Sequence, residues 1–210
     1  MIYIFSYQRK EMLLNLIDEL RHYEFTIIDD GSDFKLNLSN FYQFEHKGKE
    51  QFYLLWQYAL KEASKSKYNL FMFMPSDFQR IDFNNIFRYY NMLNHEPFVC
   101  NIINDGRKSC WNLLQPKPYN EELNQVFFTD CGFFCNRSAL EKINFTIPSI
   151  DKNRFIYNKN ISSGVGQSFT NLFNKEKVKI FTPINSLAYH GNHDSLMHKK
   201  ERIIRPLISK

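Results

Sequence analysis

Glycine is scarce in this chain of 210 residues, with 7 in all and 7 prolines. Neither is clustered, and the sequence contains no low-complexity linker, no internal repeat and no clear domain boundary. Its four cysteines (Cys100, Cys110, Cys131, Cys135) form no CxxC pair. Cys131 and Cys135 lack the second pair that a zinc cage needs, so all four read as buried free thiols of a reducing compartment. No run approaches the roughly 18 to 20 apolar residues that span a bilayer. Ile2-Tyr3-Ile4-Phe5 is too short for a signal h-region and no small-residue cleavage site follows it. A soluble, cytoplasmic protein without a transmembrane segment is therefore expected.

Aromatic residues are abundant, with 21 Phe and 12 Tyr. They predict a dense aromatic core, although an AT-rich coding sequence would leave the same mark. Hydrophobic residues at 43% and charged residues at 23% suit one globular domain. The net charge of +5 is uneven, because Lys199–Lys210 holds five Lys/Arg against one acid. That segment reads either as a solvated end or as a face for a polyanion.

Apolar spacing resolves the first half into alternating elements. Ile2–Ser6 reads as a strand, and Leu13, Leu16, Ile17 and Leu20 recur at helical spacing. Phe25–Ile28 reads as a second strand, Phe52–Ala63 as a helix and Leu70–Met74 as a buried strand. Phe83–Tyr90 reads as a helix and Phe98–Ile103 as a further strand. This β-α-β-α-β-α-β order predicts an α/β fold with a mostly parallel, Rossmann-like central sheet flanked by helices. In the second half, Trp111–Tyr119 reads as a loop and Val126–Phe128 as a strand. Ser138–Ile143 reads as a short helix, Ser162–Gln167 as a turn before a helix near Phe169–Phe173, and Val178–Phe181 as the last strand.

Polar signatures follow the strands, where ligands of such sheets collect. Asp29-Asp30-Gly31-Ser32 offers carboxylates to a base or ribose, and is equally a good turn sequence. Ser76-Asp77 offers a carboxylate to a divalent cation, or an N-cap to the helix that follows. His190-Gly191-Asn192-His193-Asp194, with His198, offers imidazole ligands. Gly164-Val165-Gly166 lacks the rest of a phosphate loop and reads as a helix-start turn.

In this order, the signals resemble the GT-A glycosyltransferases, in particular the inverting family 2. Ser6-Tyr7-Gln8-Arg9 resembles the loop after that family's first strand. Asp29–Ser32 resembles its Asp-Asp-Gly-Ser, and Ser76-Asp77 takes the place of its D-x-D motif. Gly132-Phe133-Phe134-Cys135-Asn136-Arg137-Ser138-Ala139-Leu140 resembles its Gly-x-x-x-x-Arg-x-x-Leu unit, and Ile180–His190 its late strand followed by a histidine. The resemblance implies a single GT-A domain in which residues 1–105 bind the nucleotide-sugar and residues 106–210 serve acceptor and metal. It implies a nucleotide-sugar donor, a UDP-sugar first among them, held by Ser6, Tyr7, Arg9, Asp29, Asp30 and Ser76. It also implies a divalent metal, Mn²⁺ or Mg²⁺, on Asp77 and His190. Two departures stand out: the first acid of D-x-D is absent, and Gly164–Ser168 replaces the Glu-Asp pair that carries the base. Asp130 is assigned as the base in its place, ahead of Asp105 and Asp151.

The sequence is also similar to small bacteriophage glycosyltransferases, which implies a hydroxymethylated pyrimidine in DNA as acceptor, with Trp111 or Tyr119 available to stack a flipped base. A glycan or lipid-linked sugar is the alternative acceptor. A sugar nucleotidyltransferase would need a Gly-rich loop that Ser6–Lys10 does not supply. A non-catalytic nucleotide-sugar-binding module is the reading that the missing Glu-Asp pair leaves open.

Overall fold

Ile2–Ser6 forms a strand, β1, in which all five residues are buried. It lies within a nine-stranded sheet in a computed structural model that describes residues 1–104, 116–157 and 162–190. The expectations for Asp105, Cys110, Trp111, His193, His198 and Lys199–Lys210 fall outside those residues.

From β1 the chain runs through α1 (Lys10–Glu19), β2 (Phe25–Asp29), β3 (Phe41–Gln43), α2 (Gly48–Gln51) and α3 (Tyr53–Lys65). It continues through β4 (Leu70–Pro75), β5 (Phe78–Gln79), α4 (Phe83–Leu93) and β6 (Phe98–Asn101). The later elements are β7 (Lys117–Pro118), β8 (Leu123–Val126), β9 (Phe133–Asn136), α5 (Arg137–Lys142), α6 (Arg154–Tyr157), α7 (Val165–Lys175), β10 (Lys179–Pro183) and β11 (Tyr189–His190). The sheet order is β3-β2-β1-β4-β9-β6-β10-β8-β7, and β5 with β11 forms a separate two-stranded ribbon.

The strands β3, β2, β1 and β4 are mutually parallel. The strand β9 runs antiparallel between β4 and β6, which restores the original direction to β6 and to its parallel neighbour β10. Only β8 and β9 oppose the rest, so the α/β sheet is mostly parallel, as its alternating pattern predicts. The insertion of β9 was not legible from the order of elements. The run Phe133-Phe134-Cys135-Asn136 is buried throughout, and a strand that apolar needs cover on both faces, which an internal position supplies.

Alternate residues of β1 feed two cores. Tyr3 and Phe5 join a cluster with Trp56, Phe73, Phe133, Phe169 and Phe173, under α3, α5 and α7. Ile2 and Ile4 join Leu13, Leu16, Met74, Ile86, Tyr89 and Phe134, under α1 and α4. The aromatic load thus concentrates on one face, where Phe5 stacks on Trp56 at 4.3 Å and Trp56 on Phe133 at 5.7 Å between centroids. Burial pushes the thiols of Cys100 and Cys135 well above their ordinary pKa, so both remain protonated and inert. Cys131 is half-buried.

Several boundaries move from their sequence positions. The strand expected at Val126–Phe128 ends at Val126, and Lys117–Pro118 of the expected loop is the sheet's edge strand β7, a place where proline costs no ladder bond. The cap of α4 is neither Ser76 nor Asp77 but Asp82, which accepts from Asn85 N at 3.0 Å. The ribbon strand β5 intervenes, and it leaves Ser76 and Asp77 at the end of β4. No helix among the described residues is long and apolar enough to cross a membrane.

Trp56 is fully buried where four aromatic residues meet it. Trp56→Ala is expected to lower the unfolding free energy by about 3–5 kcal/mol, read as a drop in denaturation midpoint with an unchanged slope.

Candidate active site

The chain leaves β1 toward β2 and β3 on one side and returns to β4 on the other. A cleft is created at such a reversal, beyond the carboxyl ends of the two strands. Ser6 ends β1 beside Asp29 of β2 in register, and Ser76 follows β4 with its N–H donated to Phe5 O at 2.9 Å. The residues singled out from the sequence therefore share one edge of the sheet.

Asp29 and Asp30 have different work. Asp29 is fully buried; it accepts from Ser32 N and Ser32 Oγ, each at 2.7 Å, and from Gln43 Nε2 at 3.3 Å. It holds the turn together. Ser32 Oγ in turn accepts from Gln8 N at 2.7 Å, fixing Gln8 at a left-handed φ of 54° and tying the Ser6–Arg9 loop to the Asp29–Ser32 turn. Asp30 faces the opposite loop. Its Oδ1 accepts from Lys47 N at 2.6 Å, and its Oδ2 from Gly48 N at 3.1 Å, with His46 Nδ1 also 3.1 Å away. Burial still raises its pKa above the ordinary carboxylate value, against the lowering by those amide donors and His46.

Gly31 permits this close packing. Its φ is +77°, and a methyl group there would lie 2.5 Å from His46 N. Tyr7 stacks on the His46 ring, with centroids 4.4 Å apart and planes 13° from parallel.

Across the reversal, Arg9 pairs with Asp77 Oδ2, joining the β1 loop to the β4 loop. Asp77 is 5% exposed and Arg9 13% at the side chain. The other carboxylate oxygen, Oδ1, lies 3.4 Å from His190 Nε2. His190 reaches it because β11 pairs with β5, which places His190 opposite Phe78. Asp77 Oδ1 and His190 Nε2 converge closely enough to ligate one cation together. Among the described residues no cluster of three His, Cys, Asp or Glu could hold a metal, so a cation on these two groups would take its remaining ligands from outside them, as Mg²⁺ commonly keeps several waters.

Asp130 is exposed and occupies the loop before β9. Because β9 runs antiparallel to β4, its N-terminal end meets the C-terminal edge of β4. Contact between the two loops is direct: a methyl on Gly132 would lie 2.5 Å from Phe78 Cζ. A buried amide holds the loop. Asn101 Oδ1 accepts from Thr129 Oγ1 at 2.8 Å and from Asp130 N at 3.3 Å, and Thr170 Oγ1 accepts from Thr129 N at 2.9 Å. Asp130 Oδ1 itself accepts from Cys131 N at 2.8 Å. Asp151, the weaker alternative, accepts from Asn153 N at 2.9 Å in a local turn.

The structure thus joins Ser6, Tyr7, Arg9, Asp29, Asp30, Ser76, Asp77 and His190 along one edge and sets Asp130 on the adjoining loop. Sequence inspection missed His46, Gln43, Asn101 and Thr129. None stands in a periodic or motif context; only the close approach that Gly31 allows hints that another segment packs on the Asp29–Ser32 turn.

No family model matches the chain, and no curated protein does. Among solved structures it is similar to S. aureus TarS. The TM-score is 0.57 at 15% identity, over 90% of this chain and 35% of that one. For the TarS 1–349 structure the TM-score is 0.55 at 15% identity, over 90% of this chain and 58% of that one. The chain therefore spans little more than a third of the longer TarS chain, and the likeness is one of fold.

Asn101→Leu keeps the number and branching of the side-chain heavy atoms and removes the acceptor shared by Thr129 Oγ1 and Asp130 N. It is expected to cost about 1–3 kcal/mol in unfolding free energy, the penalty of leaving buried donors unpaired. Denaturant unfolding of the two proteins side by side checks it; equal midpoints would remove the amide from its structural role.

Proposed function

We propose that the chain is a glycosyltransferase that moves a sugar from a nucleotide-diphosphate sugar, a UDP-sugar first among them, to an acceptor hydroxyl. The observation that carries this reading is the meeting of Arg9, Asp77 and His190 at the point where the sheet's strand order reverses. A cation pair partner and two metal-capable donors there suit a diphosphate better than any other common ligand. Ser6 Oγ supports it: it is buried at the same edge with no hydrogen-bond partner among the described residues, a cost that a ligand hydroxyl or phosphate would offset.

In this reading Tyr7, Asp29 and Asp30 shape the nucleoside end, and Arg9 and Ser76 lie along the diphosphate. Asp77 and His190 would hold Mn²⁺ or Mg²⁺, which supplies positive charge to the departing diphosphate. Asp130 takes the proton of the acceptor hydroxyl. The acceptor oxygen forms its bond to the anomeric carbon as the bond from that carbon to the diphosphate oxygen breaks, and the electron pair leaves with the nucleoside diphosphate. One such displacement inverts the anomeric centre. For the acceptor, we take a hydroxymethylated pyrimidine in DNA, supported by the net charge of +5. A glycan or lipid-linked sugar would need no such charge, except against an anionic membrane.

Donor hydrolysis in the presence of Mn²⁺, screened over UDP-, GDP- and TDP-sugars, is the direct test. Turnover is expected with at least one of them, and its absence with all would favour a binding module. Asp77→Ala and His190→Ala are each expected to lower turnover about 100-fold or more and to abolish the response to added metal. Asp130→Asn should lower transfer by about 100-fold or more while leaving donor affinity unchanged; retained transfer would move the base elsewhere. A duplex containing hydroxymethylcytosine should shift in a gel at low salt and release as salt rises. Binding confined to anionic vesicles would exclude DNA as the acceptor.

A further inference from the structure

The carboxylate expected to meet the nucleobase is already committed within the protein. Asp30 receives Lys47 N on one oxygen and Gly48 N on the other, which also lies 3.1 Å from His46 Nδ1. What faces outward beside it is the ring of His46, whose side chain is 49% exposed. His46 Nδ1 lies 2.9 Å from Asp30 O and 3.1 Å from Asp30 Oδ2. Both neighbours are acceptors, so Nδ1 carries the proton, and in the neutral ring Nε2 is left as an acceptor. No described residue partners Nε2.

The ring is locked in two ways. Tyr7 lies parallel to it at 4.4 Å, which sets its plane, and Asp30 sets its rotation within that plane. The backbone of His46 is seated on the turn, where only a glycine at position 31 leaves room. A planar heterocycle coplanar with His46 would present its edge to Nε2.

We propose that His46 is the specificity-determining residue of the nucleotide pocket. Its Nε2 accepts the ring N–H of a uracil-, thymine- or guanine-type base, and Asp30 acts as the group that orients it. This rests on the donor-site reading above. Cytosine and adenine carry a lone pair at the corresponding ring nitrogen, so two acceptors would face each other; that repulsion rejects them.

Two substitutions separate the ring's two nitrogens. His46→Asn keeps a donor near the Nδ1 position for Asp30 and lacks Nε2. His46→Gln returns an amide oxygen near the Nε2 position. Titration calorimetry with UDP, TDP, GDP, CDP and ADP, with Mn²⁺ present, reads the outcome. The native protein is expected to bind the best of UDP, TDP and GDP about 10-fold or more tightly than CDP or ADP. His46→Asn should bring that ratio within about 3-fold, and His46→Gln should restore part of it. A second probe is 3-methyl-UDP, whose ring N–H is blocked. It should bind the native protein about 10-fold more weakly than UDP and bind His46→Asn about as well as UDP does. Discrimination that survives in His46→Asn, or a native preference for CDP or ADP, overturns the role of His46 and leaves the donor site standing. If the native protein binds none of the five nucleotides, the donor-site reading fails, and the role of His46 fails with it.

Discussion

A strand with no exposed residue must be covered on both faces, and β1 is such a strand. It has neighbours on either side, β2 and β4, both parallel to it. Parallel neighbours cannot be joined by tight hairpins, so the chain crosses over through α1 before β2 and through α2 and α3 before β4. From that one constraint follow the two cores, the layers of helices and the reversal in strand order beyond Ser6. The aromatic core under α3 and α7 is a consequence of which β1 residues point that way: Tyr3 and Phe5 on one side, Ile2 and Ile4 on the other.

The site is built where that constraint ends. Beyond the last buried residue of each strand the backbone must turn, and the turns here are held by side chains rather than by sheet ladder. Asp29 closes one turn on Ser32, Asp30 seats the loop of His46 to Gly48, and Asp77 links Arg9 with His190. Buried carboxylates of this kind are costly unless their oxygens are paired. Asp29 is paired within its own turn, whereas Asp30 and Asp77 are paired with other loops and bring distant segments to the same cleft. Shaping the cleft and neutralising its charges are therefore one physical event.

Much of the fold was legible because burial leaves a period in the sequence. The stripe through Leu13, Leu16 and Leu20 and the run from Leu70 to Met74 have no reading other than helix and buried strand. The place of β9 between β4 and β6 was hidden, since nothing local tells an apolar strand which neighbours it will have. The ribbon of β5 and β11 was hidden for a further reason: its strands are two residues each, too short to show a period. Asp29, Asp30 and Asp77 stood out as acids at strand ends, but Gln43 and His46 did not, because they are ordinary polar residues until the chain folds them against Asp29 and Asp30.

The sequence by itself determined the layered α/β architecture and the set of polar residues that follow its strands, because alternation of burial is a local property. Tertiary structure alone decided that Asp29 braces a turn and Asp30 anchors His46, and that Arg9 and His190 divide the two oxygens of Asp77. Those assignments depend on which loops meet across a strand reversal. Meetings of residues 14 to 113 positions apart are set by the packing of whole elements, not by the residues that come into contact.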